Sequence, residues 1–380
     1  MKKFLSVLLS SAIFICSWAI KASALGIYDI SAECAALVCV ETGELLFEKN
    51  AHRVHSMAST TKIMTSLLAV EEYTPQREIT VTSQMLKVEG TSMGLLAGDT
   101  VTLEGLVYGM LLPSGNDAAN VVAYTLAGST EDFAVMMNNR ARQIGMKNTN
   151  FVTPSGLDDK NHYSTAYDMA LLGCEAVKNK EFASICSQKS ATVSYGNPPY
   201  KRTLTNHNRL LKSYDGAFGI KTGFTKKSGR CLVSGAERNG VRLVAVTLNA
   251  PDDWQDHKKM LDFGFEQVES TQTDFKLDNI IVPVVGGTVN TVSVNCKNIQ
   301  LVGNVHGYET VLLIDKFLYA PVSAGQVVGE IRCIKDGKVI ASSPVTAKTD
   351  VPIFIKQVPE KEKINRNQKI INHLRRNKND

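Results

Sequence analysis

The chain has 380 residues, 44% hydrophobic and 21% charged, with 27 Gly and 11 Pro. That balance excludes disorder, collagen and coiled coil as the main architecture, and the length suits two domains with a core each. The net charge of +5 sits at the ends: residues 1–24 carry +3 and residues 356–380 carry +5, so the body is slightly acidic and offers nucleic acid no attractive field.

Taken in chain order, Lys2 and Lys3 precede the apolar run Phe4 to Ile20, and Ala22-Ser23-Ala24 supplies a small-residue cleavage pattern. Residues 1–24 therefore read as a signal peptide. A retained membrane helix would have to bury Ser10, Ser11 and Ser17, and Cys16 follows Phe14 and Ile15 rather than the small residues of a lipid-attachment signal. Residues 28–49 alternate about Glu41-Thr42-Gly43-Glu44 and predict a hairpin. From Ser59 a helical period begins, carried by Ile63, Met64, Leu67, Leu68 and Val70. Further helices are predicted at 103–112, 117–127, 130–144 and 165–178. Strands follow at Gly219 to Thr222, at Cys231 to Ala236 and, across Asn239-Gly240, at Leu243 to Leu248. A short helix from Asp256 to Phe263 is expected to end at Gly264 as its C-cap.

After residue 272 the texture becomes β throughout. Val292 and Val294, Val311 and Leu313, then Val328, Ile331 and Ile334 define strands, with Asp336-Gly337 as a hairpin turn. The expected organisation is a signal peptide at 1–24, a mixed α and β domain at 25–272, a small β-sandwich-like domain at 275–355 and a basic tail at 356–380. Beyond the signal, Cys34, Cys39, Cys174, Cys186, Cys231, Cys296 and Cys333 are odd in number and irregularly spaced. They form no disulfide framework and no Cys-x-x-Cys metal site, and most are expected to be small buried hydrophobes.

Three short patterns carry chemistry. Ser59-Thr60-Thr61-Lys62 opens a predicted helix, so its hydroxyl and ammonium share a face one turn apart. A serine becomes a nucleophile when a neighbouring base takes its proton, and a lysine in a crowded, desolvated, cationic site can be that base. Ser114-Gly115-Asn116 offers a hydroxyl and a carboxamide on a tight loop, suited to proton relay and to holding an amide. Lys221-Thr222-Gly223 offers a cation and a hydroxyl for a carboxylate, with a glycine that lets a substrate backbone approach. Each alone reads better as a chance match, a turn and cap, or a solvated strand end. Their order, with gaps of 55 and 107 residues, sets them apart. Ser293-Val294-Asn295 and Lys227-Ser228-Gly229 repeat two of the patterns outside this order, in the β region and in an exposed turn.

The sequence closely resembles the low-molecular-mass penicillin-binding proteins, the serine-type D-Ala-D-Ala carboxypeptidases. The resemblance rests on Met57-Ala58-Ser59-Thr60-Thr61-Lys62-Ile63-Met64-Thr65, Met137-Asn138, Ser155-Gly156-Leu157, Ser164-Thr165-Ala166-Tyr167-Asp168 and Lys221-Thr222-Gly223-Phe224-Thr225. It extends through Pro321, Gly325 and Val328-Gly329, so it covers roughly residues 25–355. It implies an α+β fold: a β-lactamase/transpeptidase-like catalytic domain, with an antiparallel sheet flanked by helices, then a small all-β domain. It further implies Ser59 as acylated nucleophile, Lys62 as base, Ser114 and Asn116 as proton shuttle and substrate holder, and Lys221 and Thr222 as holders of the terminal carboxylate. The backbone N–H groups of Ser59 and Phe224 would form the oxyanion hole beside Gly223. Some relatives add an arginine after the last catalytic strand, but here Pro251-Asp252-Asp253-Trp254-Gln255-Asp256-His257 has none.

The implied substrates are peptidoglycan stem peptides ending in D-Ala-D-Ala, with β-lactams as inhibitors, no metal or organic cofactor, and action after export at the cell wall, at the outer face of the cytoplasmic membrane, or as a secreted enzyme. The tail, with Ile364, Ile370, Ile371 and Leu374 among basic residues, suggests a weak membrane-surface helix. Two other readings stand beside this one. A β-lactamase would need a water-positioning glutamate, for which Glu175 with Asn179 is the available pair. A catalytically inactive wall-binding protein would have no use for Ser59 and Lys62 together.

Overall fold

The computed structural model describes residues 25–355, apart from 73, 276, 278–279 and 304–306, together with Lys369. Residues 1–24, expected to be a signal peptide, and the remainder of the tail, expected to form a weak membrane-surface helix, lie outside the described residues. The chain divides into two compact units, one built from the chain up to Ser270 and the other mainly from the chain after it.

The first unit centres on a five-stranded antiparallel sheet. Its strands are β1 (Cys34–Cys39), β2 (Leu45–Lys49), β7 (Ala217–Thr225), β8 (Gly229–Arg238) and β9 (Val241–Leu248), in spatial order β2-β1-β9-β8-β7. Strand β1 is buried along its whole length because both faces of the sheet are covered. Cys34, Ala36 and Val38 enter the core on one face, while Ala35, Leu37 and Cys39 enter a second core on the other. Helix α5 (Ala166–Ala176) packs on the first face, and α8 (Asp253–Gln267) covers the second.

The remaining helices are α1 (Lys62–Glu71), α2 (Leu103–Leu111), α3 (Asn116–Ala127), α4 (Thr130–Ile144), α6 (Lys180–Cys186) and α7 (Leu210–Ser213). The helices expected between residues 103 and 178 are α2 to α5. Helix α6 and a four-stranded sheet go beyond the sequence expectations. That sheet comprises β3 (Glu78–Thr80), β4 (Thr100–Thr102), β5 (Ser190–Gly196) and β6 (Pro199–Thr205). Its strands bury few side chains, chiefly Ile79, Val101, Val193, Tyr195 and Leu204, so they give little periodic signal.

The expected C-cap at Gly264 is corrected. Helix α8 continues to Gln267, and Gly264 is one of its buried residues. A Cβ there would lie 2.7 Å from both Leu37 and Leu243 of the sheet. The glycine permits close helix–sheet approach and terminates nothing.

The second unit is a six-stranded sheet in the order Glu309–Ile314, Val327–Lys335, Lys338–Ala347, Thr291–Cys296, Ile281–Val285, Leu318–Tyr319. Lys335 pairs with Lys338 across Asp336-Gly337. Val292, Val294, Val328 and Ile331 enter its core as the alternation requires. The strand Glu309–Ile314 presents the opposite face from the one expected: Leu312 and Ile314 pack against the core, and Leu313 is exposed.

Candidate active site

A tight turn precedes α1 and presents the serine. Residues Ala58–Thr61 form a single 3-10 turn, Ala58 has φ +48°, and the Thr60 hydroxyl locks the turn by donating to Met57 O at 2.6 Å. Lys62 is then the first residue of α1, one turn from Ser59. The loop around Pro154-Ser155-Gly156 presses on this turn. Gly156 has φ +83°, and a Cβ there would lie 2.0 Å from Ala58 O, so the approach requires glycine.

Lys62 is completely buried. Its Nζ donates to Ser59 Oγ at 3.0 Å, Asn116 Oδ1 at 2.6 Å and Ser155 O at 2.7 Å. Burial holds its pKa well below the ordinary lysine value; the Lys221 charge adds to this, and Asp117 opposes it. A lysine so placed can accept the hydroxyl proton of Ser59.

Ser114 sits in the short loop between α2 and α3 with φ +69°, and Asn116 is the first residue of α3. The Asn116 side chain donates to Glu89 O at 2.7 Å while accepting from Lys62, which fixes its amide orientation. Asp117 follows, buried, and accepts from Ser92 Oγ and from the backbone N–H groups of Met93, Gly94 and Leu95. It thereby clamps the loop whose Thr91 accepts from the Asn116 N–H at 2.6 Å. Sequence reasoning missed Asp117 because Asp at a helix start reads as an ordinary dipole partner.

Lys221 lies in the interior of β7, 1% exposed, which excludes a solvated strand end. Its Nζ donates to Thr222 O at 2.9 Å, and burial lowers its pKa to about 7. Gly223 faces the nucleophile turn: a Cβ there would lie 3.1 Å from Met57 O, Ser59 N and Thr60 N. Phe224 is 65% exposed. Lys226 and Lys227 are exposed beyond the strand, and Ser293-Val294-Asn295 lies in the second unit.

These elements border a cleft of about 330 Å³. The three motifs meet there through Ser59, Ser114, Thr222, Gly223 and Phe224, with Lys62, Asn116 and Lys221 buried behind them. Thr91, His207, Arg209, Arg230, Asp253 and Trp254 complete the wall; none of them was singled out as a site residue from sequence. A separate, mainly apolar cavity of about 250 Å³ is lined by Ala69, Val70, Thr74, Pro75, Leu103, Glu104, Val107, Glu181 and Ile185, and none of the motif residues borders it. Glu175, the residue a β-lactamase reading requires, binds Arg140 of α4 at 2.7 Å, and Asn179 caps α6. Neither borders the cleft. Among the described residues, no cluster of three or more His, Cys, Asp or Glu could hold a metal ion, and all seven cysteines are free.

Comparison with known proteins agrees with this geometry. Residues 19–252 match the D-alanyl-D-alanine carboxypeptidase family of S11 peptidases, and residues 265–352 match the C-terminal domain of penicillin-binding protein 5. The chain is 33% identical over 340 residues to D-alanyl-D-alanine carboxypeptidase DacF of Bacillus subtilis, covering 84% of this chain and 86% of the relative. It is also 33% identical over 350 residues to DacC of Escherichia coli, covering 85% of each. The solved penicillin-binding protein 5 of Haemophilus influenzae superposes with a TM-score of 0.61 at 30% identity, covering 85% of this chain and 98% of that one. The DD-transpeptidase of Streptomyces K15 superposes with a TM-score of 0.60 at 31% identity, covering 62% and 98%. The chain belongs to the D-alanyl-D-alanine carboxypeptidase family of serine hydrolases.

Proposed function

We propose that this D-Ala-D-Ala carboxypeptidase works through an acyl-enzyme on Ser59. The observation that carries the assignment is the 3.0 Å contact between Lys62 Nζ and Ser59 Oγ inside a buried polar cage. Neutral Lys62 takes the serine proton as Oγ attacks the carbonyl of the penultimate D-alanine of a stem peptide. The C–N bond then breaks, the leaving D-alanine is protonated through Ser114, and water hydrolyses the Ser59 ester. Asn116 holds the substrate amide, Thr222 faces its carboxylate, and Lys221 supplies the positive field behind both. On this reading the N–H groups of Ser59 and Phe224 stabilise the developing oxyanion. Gly223 supports that role by letting β7 approach the serine turn.

A β-lactam is attacked by the same serine and remains as a stable ester, so the protein binds penicillin covalently. Residues 1–24 act as an export signal, which places the enzyme with its cell-wall substrate, and the basic tail holds it weakly to an anionic membrane surface. The deciding assay is D-alanine release from diacetyl-Lys-D-Ala-D-Ala by the mature chain. Release that is lost in Ser59→Ala supports the reading, and absence of release from the wild type overturns it.

A further inference from the structure

The motif lysine is sealed from the cleft, so the cation that meets the substrate from the sheet must come from elsewhere. Lys221 is 1% exposed and already donates to Thr222 O. Arg230 borders the cleft directly. In the β7–β8 ladder it is paired with Phe224, next to the Thr222–Leu232 pair on the same sheet face. Thr222 and Arg230 therefore address one side of the cleft, although a separation of eight residues in sequence conceals it.

The guanidinium is fixed in place. Its Nε and Nη2 donate to the same oxygen, Asp253 Oδ1, at 3.1 and 2.6 Å. Asp253 is 3% exposed, and the guanidinium carbon lies 5.6 Å from the Trp254 ring centroid. Arg230 itself keeps 42% of its side chain exposed. No acceptor among the described residues takes its Nη1 group, so donors remain for a ligand. Arg209, which also borders the cleft, is exposed and has no such brace among the described residues.

We infer that Arg230, braced by Asp253 and Trp254, is the specificity residue that binds the terminal carboxylate of the substrate, together with the Thr222 hydroxyl. A planar guanidinium held in advance binds a carboxylate without first losing side-chain freedom. Asp253 is a positioning residue that acts through Arg230. This assignment rests on the acyl-enzyme reading above. It also explains how the site can lack an arginine between Pro251 and His257: Asp253 and Trp254 of that segment hold an arginine supplied by β8.

The test compares diacetyl-Lys-D-Ala-D-Ala with the same peptide carrying a C-terminal amide. Arg230→Gln is expected to lower kcat/KM on the acid about 10- to 100-fold, the effect of one charge-assisted hydrogen bond, while turnover of the amide stays at the wild-type level. Hydrolysis of the acyl-enzyme, measured in single turnover, is expected to keep its rate, because the leaving D-alanine carries the carboxylate away. Arg230→Lys is expected to fall between the two. Equal losses on acid and amide would overturn the assignment by making Arg230 structural, and so would an unaffected variant. A carboxylate-selective loss in Arg209→Gln but not in Arg230→Gln would overturn it too. Failure of the wild type to release D-alanine would instead refute the underlying acyl-enzyme reading.

Discussion

Lys62 and Lys221 are both sealed from solvent, and the charge on Lys221 works against the charge on Lys62. In the proposed mechanism the active form of Lys62 is neutral, so acylation is expected to rise with pH as Lys62 loses its proton. Removing the Lys221 charge relieves the repulsion and leaves Asp117 to favour protonated Lys62. Lys221→Gln should therefore shift the acidic limb of the kcat/KM profile to higher pH, in addition to lowering its plateau. Penicillin acylation rates across the pH range would measure this. A limb that stays in place, or moves to lower pH, would show that the two lysines are not coupled.

Ser59→Ala removes the hydroxyl that accepts from buried Lys62 at 3.0 Å, yet leaves the 3-10 turn held by Thr60 and Gly156. The variant should melt at the wild-type temperature and form no benzylpenicillin adduct. Intact-mass spectrometry after prolonged exposure reads the outcome. A stoichiometric adduct on the variant would move the nucleophile to another residue.

Asp117 holds the loop from Ser92 to Leu95 through three backbone N–H groups and a hydroxyl. Asp117→Ala would leave those donors unmatched, at a cost of about 3 kcal/mol. It should also free Thr91 and Asn116 and depress kcat. Limited proteolysis is expected to cut the variant first within this loop. A variant with unchanged Tm and kcat would show that the loop is held by its other contacts.

The difference between what was legible in the sequence and what was not follows from partner distance. Ser59 and Lys62 lie one helical turn apart, so their alignment is visible in the spacing itself. Ser114, Asn116 and Lys221 are recognisable because hydroxyl, amide and cation stand in short fixed patterns. Arg230 and Asp253 are 23 residues apart, on a strand and a following helix, and nothing local marks them as a pair. Asp117 likewise finds its partners 22 to 25 residues upstream. In the fold, the β1–β2 hairpin was legible through its turn at Glu41-Thr42-Gly43-Glu44, although β1 is buried on both faces and does not alternate, whereas β3 and β4 are three-residue strands with one buried side chain each.

Gly264 reads in sequence as a helix end, but it lies inside α8 against Leu37 and Leu243. The two readings predict different mutants. In the interior, Gly264→Ala gains about 1 kcal/mol of helix propensity but must overpack the sheet contact, which costs roughly 1–3 kcal/mol. The expected net effect is a lower Tm, and Leu243→Val made in the Gly264→Ala background should recover part of it by vacating space. A Tm that rises in the single variant would show that α8 moves away at little cost.

The last prediction concerns acid stability. His257 is fully buried between Ser234 Oγ at 2.5 Å and Thr247 Oγ1 at 2.9 Å, and burial lowers its pKa to about 3. His162, hydrogen-bonded to Thr61 Oγ1 at 2.8 Å, is lowered to about 4 by the same cause. In the unfolded chain both take up a proton near pH 6.5. Between that pH and the folded values the unfolded state binds more protons, so stability is complete above about pH 6.5 and is lost as the pH falls through the window. Each histidine contributes a slope of up to about 1.4 kcal/mol per pH unit. Melting curves from pH 7 down to pH 4.5 should show a progressive fall in Tm. His257→Gln should start less stable, because it disturbs a buried hydrogen-bonded site, yet lose stability less steeply because one proton uptake has been removed. A variant with the same pH slope as the wild type would show that His257 does not contribute to the acid sensitivity of the fold.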